Sequence, residues 1–201
     1  MQLDPQDLKS IEIYKILTAL VSPRPIALVT TVDRQGRINA APFSFFNAFG
    51  ANPPVLAFAP GDKEPGVPKD TARNIRETGQ FVVNLVDEDI AQAMHDTSAP
   101  LSSGENELLF AGLSSVPSHL VKPPRVSESP ASFECDSWGI LEIGFNRIVI
   151  GVVKYMHIRD GLLDAQTFRM LDNEYKPIGR MQGPGVYCHS TERFDLDITG
   201  K

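Results

Sequence analysis

Small hydrogen-bonding side chains recur among apolar residues in the stretch from Pro23 to Phe46, PRPIALVTTVDRQGRINAAPFSFF. Thr30, Thr31, Asn39 and Ser44 supply the polar groups; Ala41, Pro42, Phe43 and Phe45 supply apolar surface. A flat aromatic ligand needs that mixture of apolar faces and polar edges. A purely structural hairpin would carry the same residues, so both readings stay open at this point. The second chemical cluster is Lys69-Asp70-Thr71-Ala72-Arg73-Asn74. A helix beginning at Asp70 or Thr71 turns its first free amides, and the positive end of its dipole, toward the preceding loop. Lys69 and Arg73 add charge there, and Thr71 and Asn74 add donors, a combination suited to a phosphate monoester. The competing account is an ordinary capped helix with solvated basic residues. Asp70 opposes phosphate unless it caps the helix or pairs with a basic residue.

Joined, the two clusters describe a ligand with an aromatic ring system at one end and a phosphate at the other. FMN and pyridoxal phosphate both answer to that description. Pyridoxal phosphate calls for a Schiff-base lysine in an apolar setting, and Lys15, Lys63, Lys122, Lys154 and Lys176 show no such setting. Other chemistries lack their signatures. There is no GxxxxGK[ST], no GxGxxG, no HExxH and no GxSxG. His95, His119, His157 and His189 are dispersed, without zinc-ligand spacing, so no metal is expected. Cys135 stands between Glu134 and Asp136, which disfavour its thiolate.

A formal net charge of −6, with basic residues scattered, argues against a nucleic-acid partner. Cys135 and Cys188 lie far apart and form no CxxC motif, as expected of thiols in a reducing cytoplasm. The acid-bearing MQLDPQDLKS segment does not read as a secretory signal, and apolar runs are too short for a membrane span. A cytoplasmic protein is expected.

The elements that must position these clusters follow from local pattern. Asp4-Pro5 suits a helix start, with a helical region to about Val21. Ile26–Val32 and Arg37–Ala41 form a hairpin around Asp33-Arg34-Gln35-Gly36. Strands are expected at Val55–Ala59, Phe81–Val86, Ser132–Glu142, Arg147–Arg159 and near Gly185–His189. A helix over about 71–78 closes at Gly79, and Asp87 caps another to about His95. Residues 97–134 read as an ordered excursion with a helical turn near Glu107–Ala111, expected to shape a substrate mouth. Short connections between many strands indicate one mainly β domain over 1–201, an antiparallel barrel with peripheral helices.

An ordered series of motifs carries a family resemblance: PRPIALVTT, Gly36 with NAAPFSFF, KDT with Asn74-Ile75, GQFVVN, PPRV, Phe133-Glu134-Cys135, Gly151-Val152-Val153, His157-Ile158-Arg159-Asp160 and RMQG from Arg180. The chain resembles the flavin reductase-like, FMN-binding split-barrel family, in its flavoredoxin-like branch. The resemblance implies a six-stranded Greek-key split barrel that binds FMN non-covalently as a homodimer. It places Asn39, Ala41, Pro42, Phe43, Ser44 and Phe45 along the ring, and Thr30, Thr31, Lys69, Thr71 and Asn74 at the ribityl phosphate. Arg180 and Tyr187 are weaker candidates for the ring or the dimer mouth. One departure is Gln182-Gly183-Pro184-Gly185, where the family often has two adjacent glycines. The implied activity is an NAD(P)H-dependent flavin reductase, with NADH or NADPH as hydride donor and a partner oxygenase or electron-transfer protein downstream. The alternatives are an electron-transfer flavoprotein without its own pyridine nucleotide site and a non-enzymatic FMN- or haem-binding module.

Overall fold

The Asp33 turn shows how local chemistry sets the first strand pair. Asp33 accepts from Gln35 N and Arg37 N, both at 2.9 Å, and Gly36 takes the positive φ of 82° that this tight reversal requires. Strand β1 (Ala27–Val32) thereby pairs antiparallel with β2 (Ile38–Phe43), from Val32 opposite Ile38 to Ala27 opposite Phe43. The structure, a computed structural model, describes residues 1–171, 175–192, 194–196 and 198. The remaining main strands are β3 (Phe46–Ala51), β4 (Pro54–Phe58), β5 (Gln80–Leu85), β6 (Ala131–Ile143) and β7 (Asn146–Ile158). They form one antiparallel sheet in the order β2-β1-β5-β6-β7-β4-β3.

Seven strands, not six, make up this sheet; the additional one is β3. The Tyr187–His189 strand lies outside it, in a two-stranded ribbon with Ile178–Arg180. The sheet curls until its two edges approach. Phe43 on edge strand β2 meets Phe58 on β4 with ring centroids 5.0 Å apart, and Phe58 meets Phe81 at 5.5 Å. The chain passes from one edge to the other through Ser44 and Phe45 alone. Ala59 N donates to Phe45 O at 2.8 Å beside that crossing.

Strand β1 is buried along its whole length because both of its faces are covered. Ala27 and Val29 face the barrel core with Phe43, Phe58, Ile75, Phe81, Val83, Cys135 and Val149. Ile26 and Leu28 belong to a second core with Ile90, Met94, Leu108, Leu113, Val126 and Ile178. Helices α1 (Ser10–Leu20), α2 (Asp70–Thr78), α3 (Ala91–Asp96) and α4 (Glu107–Phe110) surround the sheet. Near the N-terminus, Asp4 caps a separate 3-10 turn (Pro5–Asp7), and the longer helix starts only at Ser10. A 3-10 turn (Glu88–Ile90) also precedes α3, and Asp87 gives it no side-chain cap; its carboxylate pairs instead with Arg159 at 3.1 Å.

The 97–134 excursion is ordered, as expected, and one buried carboxylate anchors it. Glu134 accepts from His119 N and Leu120 N at 2.6 Å, Val121 N at 3.2 Å, and approaches His157 Nε2 at 2.6 Å. Burial pushes its pKa upward, but the amides and His157 outweigh this and hold it below the usual range. A depressed folded-state pKa stabilises the protein above the unfolded value of about 4.3 and is lost as pH falls through the lower folded value. Glu134→Gln is therefore expected to cost about 2 kcal/mol or more at neutral pH. Urea unfolding checks this, and the gap between native and variant chains should narrow below about pH 4.

Candidate functional site

Helix α2 presents its first turn to the open seam of the barrel because its inward side is tied to β1 and β2. Asn39 Nδ2 donates to Thr71 Oγ1 at 3.0 Å and lies 3.4 Å from Thr31 Oγ1. Asn74 Nδ2 donates to the same Thr31 hydroxyl at 3.1 Å. Thr31, Thr71 and Asn74 are fully buried, so the Asn74–Thr31 bond forms where water cannot compete, while the Asn39 bonds are part-buried. Asn74 Oδ1 is left buried without a partner. Gly79 ends the helix in the left-handed region at φ 73°, returning its N–H to Ile75 O.

Neither Asp70 nor Thr71 caps this helix. Lys69 is the N-cap residue, and its side chain makes no cap bond to the first amides. Asp70 instead pairs with Lys63 at 2.6 Å and with Arg73, and accepts from Ser103 Oγ at 3.1 Å. Burial alone would raise the Asp70 pKa; Lys63, Arg73 and Ser103 bring it below the usual carboxylate range. The acid that opposed an anion at this turn is thus already neutralised. Lys69 has no carboxylate partner among the described residues; its Nζ lies 5.7 Å from the centre of the Phe43 ring. Burial lowers its pKa, and Lys63 lowers it further.

Beside Lys69 runs a groove of about 300 Å3, lined by Pro42, Phe43, Ser44 and Phe45 on one wall and by Tyr14, Ala59, Pro60, Gly61, Asn146 and Arg147 elsewhere. Arg147 is held by Asp62, with Nη2 to Oδ2 at 3.1 Å, and by Glu142 at 2.7 Å, so its charge is offset within the protein. Ser44 Oγ accepts from Arg24 Nε at 3.3 Å. The Arg24 guanidinium also lies 5.9 Å from the Phe45 ring centre, and Tyr14 packs on Phe45 at 6.2 Å.

The sequence candidates therefore separate by position. Pro42, Phe43, Ser44, Phe45 and Lys69 line the groove. Thr31, Asn39, Thr71 and Asn74 form the buried frame behind it. Ala41 is half-buried against the barrel core. Thr30 points to the opposite face of β1, where its hydroxyl donates to Pro124 O at 2.5 Å and accepts from Asn84 at 3.3 Å. Arg180 lines a neighbouring cavity, and Tyr187 lies beneath it, 4.8 Å from its guanidinium, bonded to His95 at 2.9 Å. No groove-lining residue comes from 97–134, so that excursion does not form this wall. Tyr14, Gly61 and Arg147 were missed; only the Gly- and Pro-rich loop 60–68 gave a signal, since a glycine there leaves room at a ligand's edge.

A family model, described as a flavin reductase like domain, matches residues 20–188. The chain belongs to this flavin reductase-like family. Nitrilotriacetate monooxygenase component B from Bacillus cereus is 33% identical, with a TM-score of 0.93 over 98% of each chain. The 2-nitrobenzoate 2-nitroreductase NbaA of Pseudomonas fluorescens is 34% identical, with a TM-score of 0.88 over 100% of this chain and 97% of that one. Flavoredoxin of Desulfovibrio vulgaris (Miyazaki F) shares the fold: 21% identity, TM-score 0.76, 100% of this chain and 99% of that one. The curled sheet is thus the split barrel of flavin reductases. Among the described residues, no helix is long and apolar enough to cross a membrane.

The frame yields a direct test. Asn39→Ala and Thr71→Val remove opposite ends of one bond, so a double-mutant cycle in urea should show a coupling of about 0.5–1.5 kcal/mol. Strict additivity would show that Asn39 does not secure the helix.

Proposed function

We propose that this flavin reductase-like protein binds FMN in the seam groove and serves as an NAD(P)H-dependent flavin reductase. The observation that carries the reading is the pairing, in one groove, of an aromatic-lined chain segment at 42–45 with an ammonium at Lys69 that has no carboxylate partner among the described residues. The uncapped start of α2 and the orphaned Asn74 Oδ1 agree with a ligand that brings both phosphate and hydroxyl groups.

FMN, when bound, supplies hydride acceptance at N5 from NADH or NADPH and the onward passage of electrons. The chain's own residues do the rest. Lys69 and the free amides of Asp70, Thr71 and Ala72 would hold the phosphate. Pro42, Phe43 and Phe45 would exclude water from the ring, and Ser44, fixed by Arg24, would orient its polar edge. Thr31, Asn39, Thr71 and Asn74 act mainly by holding α2 against the sheet. No general base is required for hydride transfer, in keeping with a groove that offers no acid–base dyad.

Homodimer formation belongs to the same proposal. Phe49, Trp138 and Phe145 expose apolar surface on β3, β6 and the β6–β7 turn, which a second copy would cover. The similarity to a monooxygenase component B supports a partner oxygenase as electron acceptor, and the similarity to a nitroreductase supports a small aromatic one.

Lys69→Gln is expected to weaken FMN by about tenfold or more, with riboflavin affected far less, because a charge-assisted contact is worth about 1.5–3 kcal/mol. Equal weakening of both ligands would place the phosphate elsewhere. With FMN bound, anaerobic NADH or NADPH should bleach the absorbance at about 450 nm within the mixing time. Bleaching by dithionite alone would leave an electron-transfer flavoprotein, and a chain that takes up no FMN would refute both.

A further inference from the structure

A second cavity, of about 470 Å3, opens between α1 and the turn that follows Ile178–Arg180. Ile11, Tyr14, Met181 and Pro184 give it apolar walls, while Lys15, Arg24 and Arg180 bring positive charge. No acidic residue lines it, and none of these cations has a carboxylate partner among the described residues.

Arg24 makes the imbalance unusual, for it is only 5% exposed. Its donors are met by Thr18 O at 2.7 Å, Val21 O at 3.0 Å, Met181 O at 3.2 Å and Ser44 Oγ at 3.3 Å. Neutral oxygens satisfy its hydrogen bonds and leave its charge uncompensated, which is costly for a buried ion. Burial lowers its pKa, Tyr14 opposes that, and Arg180 lowers it again. Arg180 commits Nη1 to Val186 O at 2.7 Å and rests over the Tyr187 ring, which fixes it at the rim. Arg24, Arg180 and Lys15 line one cavity with no acid among its walls, so their like charges repel, and an anion there would relieve that repulsion.

We propose that this cavity is a subsite for a small organic acid, an aromatic or similarly apolar body bearing a carboxylate. Tyr14 lines both this cavity and the seam groove, and Arg24 reaches Ser44 and Phe45 of the groove wall. The acid's position next to a redox ring rests on the flavin reading above; its capture by the three cations does not. The volume exceeds that of a single benzene ring with its carboxylate, and the apolar walls disfavour a small inorganic anion, which would leave them wet.

Benzoate is the probe, benzamide its neutral counterpart, and ADP-ribose stands for the phosphate-bearing part of a dinucleotide. Calorimetry on the full chain loaded with FMN should show saturable benzoate binding, with benzamide weaker by about tenfold. Arg180→Gln should weaken benzoate by about fivefold or more, and Lys15→Gln should do so while leaving FMN uptake as it was. Benzoate and benzamide binding equally, or benzoate indifferent to both substitutions, overturns the proposal. ADP-ribose binding that is lost in the same variants, with no binding of benzoate, also overturns it. FMN uptake is read separately by absorbance: a chain that binds benzoate but no FMN supports the subsite while refuting the flavin reading.

Discussion

Everything at the seam depends on the buried hydrogen bonds that join Thr31 and Asn39 of the first hairpin to Thr71 and Asn74 of α2. Without them the helix start has no fixed relation to the Pro42–Phe45 wall. Thr31, Thr71 and Asn74 are buried and Asn39 is partly buried; the bonds are therefore sheltered from solvent, and an unmade one at the buried residues would leave a polar group stranded. A separate pairing leaves Lys69 available. Asp70, its neighbour in sequence, is engaged by Lys63 and Arg73, and so exerts little pull on the one ammonium that faces the groove.

The seam itself is a product of the sheet's curl. Phe43, Phe58 and Phe81 fill the interior and draw β2 toward β4, yet the strands at the two edges remain β2 and β3. Edge strands carry backbone groups that no neighbouring strand satisfies. On the β2 side the protein covers part of this liability, since Glu107 of α4 accepts from Ala40 N at 2.9 Å. Burial raises the pKa of that glutamate despite the bond, the cost of placing a carboxylate over a strand edge. The stretch from Pro42 to Phe45, tied at its far end by the Ala59 N bond to Phe45 O, lines the groove instead.

Much of this was legible from residues. The Asp-Arg-Gln-Gly turn between two apolar runs forecast the β1–β2 hairpin, and the strong β-formers at 81–86, 132–142 and 147–159 marked the long strands. Strand β3 was not legible: FNAFGA mixes Gly, Ala and Asn with phenylalanines, and most of it is exposed, so no burial pattern was there to read. Thr30 and Thr31 could not be told apart because β1 is buried on both faces, and alternation assigns sides only when one face is wet. Arg147 and Tyr14 reach the groove from distant parts of the chain, a proximity that only the folded topology creates. The helix start at 70 was legible, but its capping was not. Thr71 has the chemistry of a cap and uses it on Asn39.

A ligand site set in the gap between two strand edges draws only part of its wall from the interior: Phe43 belongs to the core, whereas Tyr14 and Phe45 are exposed. Tyr14, Phe45 and Lys69 stand outside the core cluster that holds Phe58 and Phe81, so a change at any of them re-lines the gap rather than the interior. Substitutions in the gap then alter what it can hold, while substitutions in the centre act first on folding. Structures of this one shape carry names as unlike as nitrilotriacetate monooxygenase component B and 2-nitrobenzoate 2-nitroreductase.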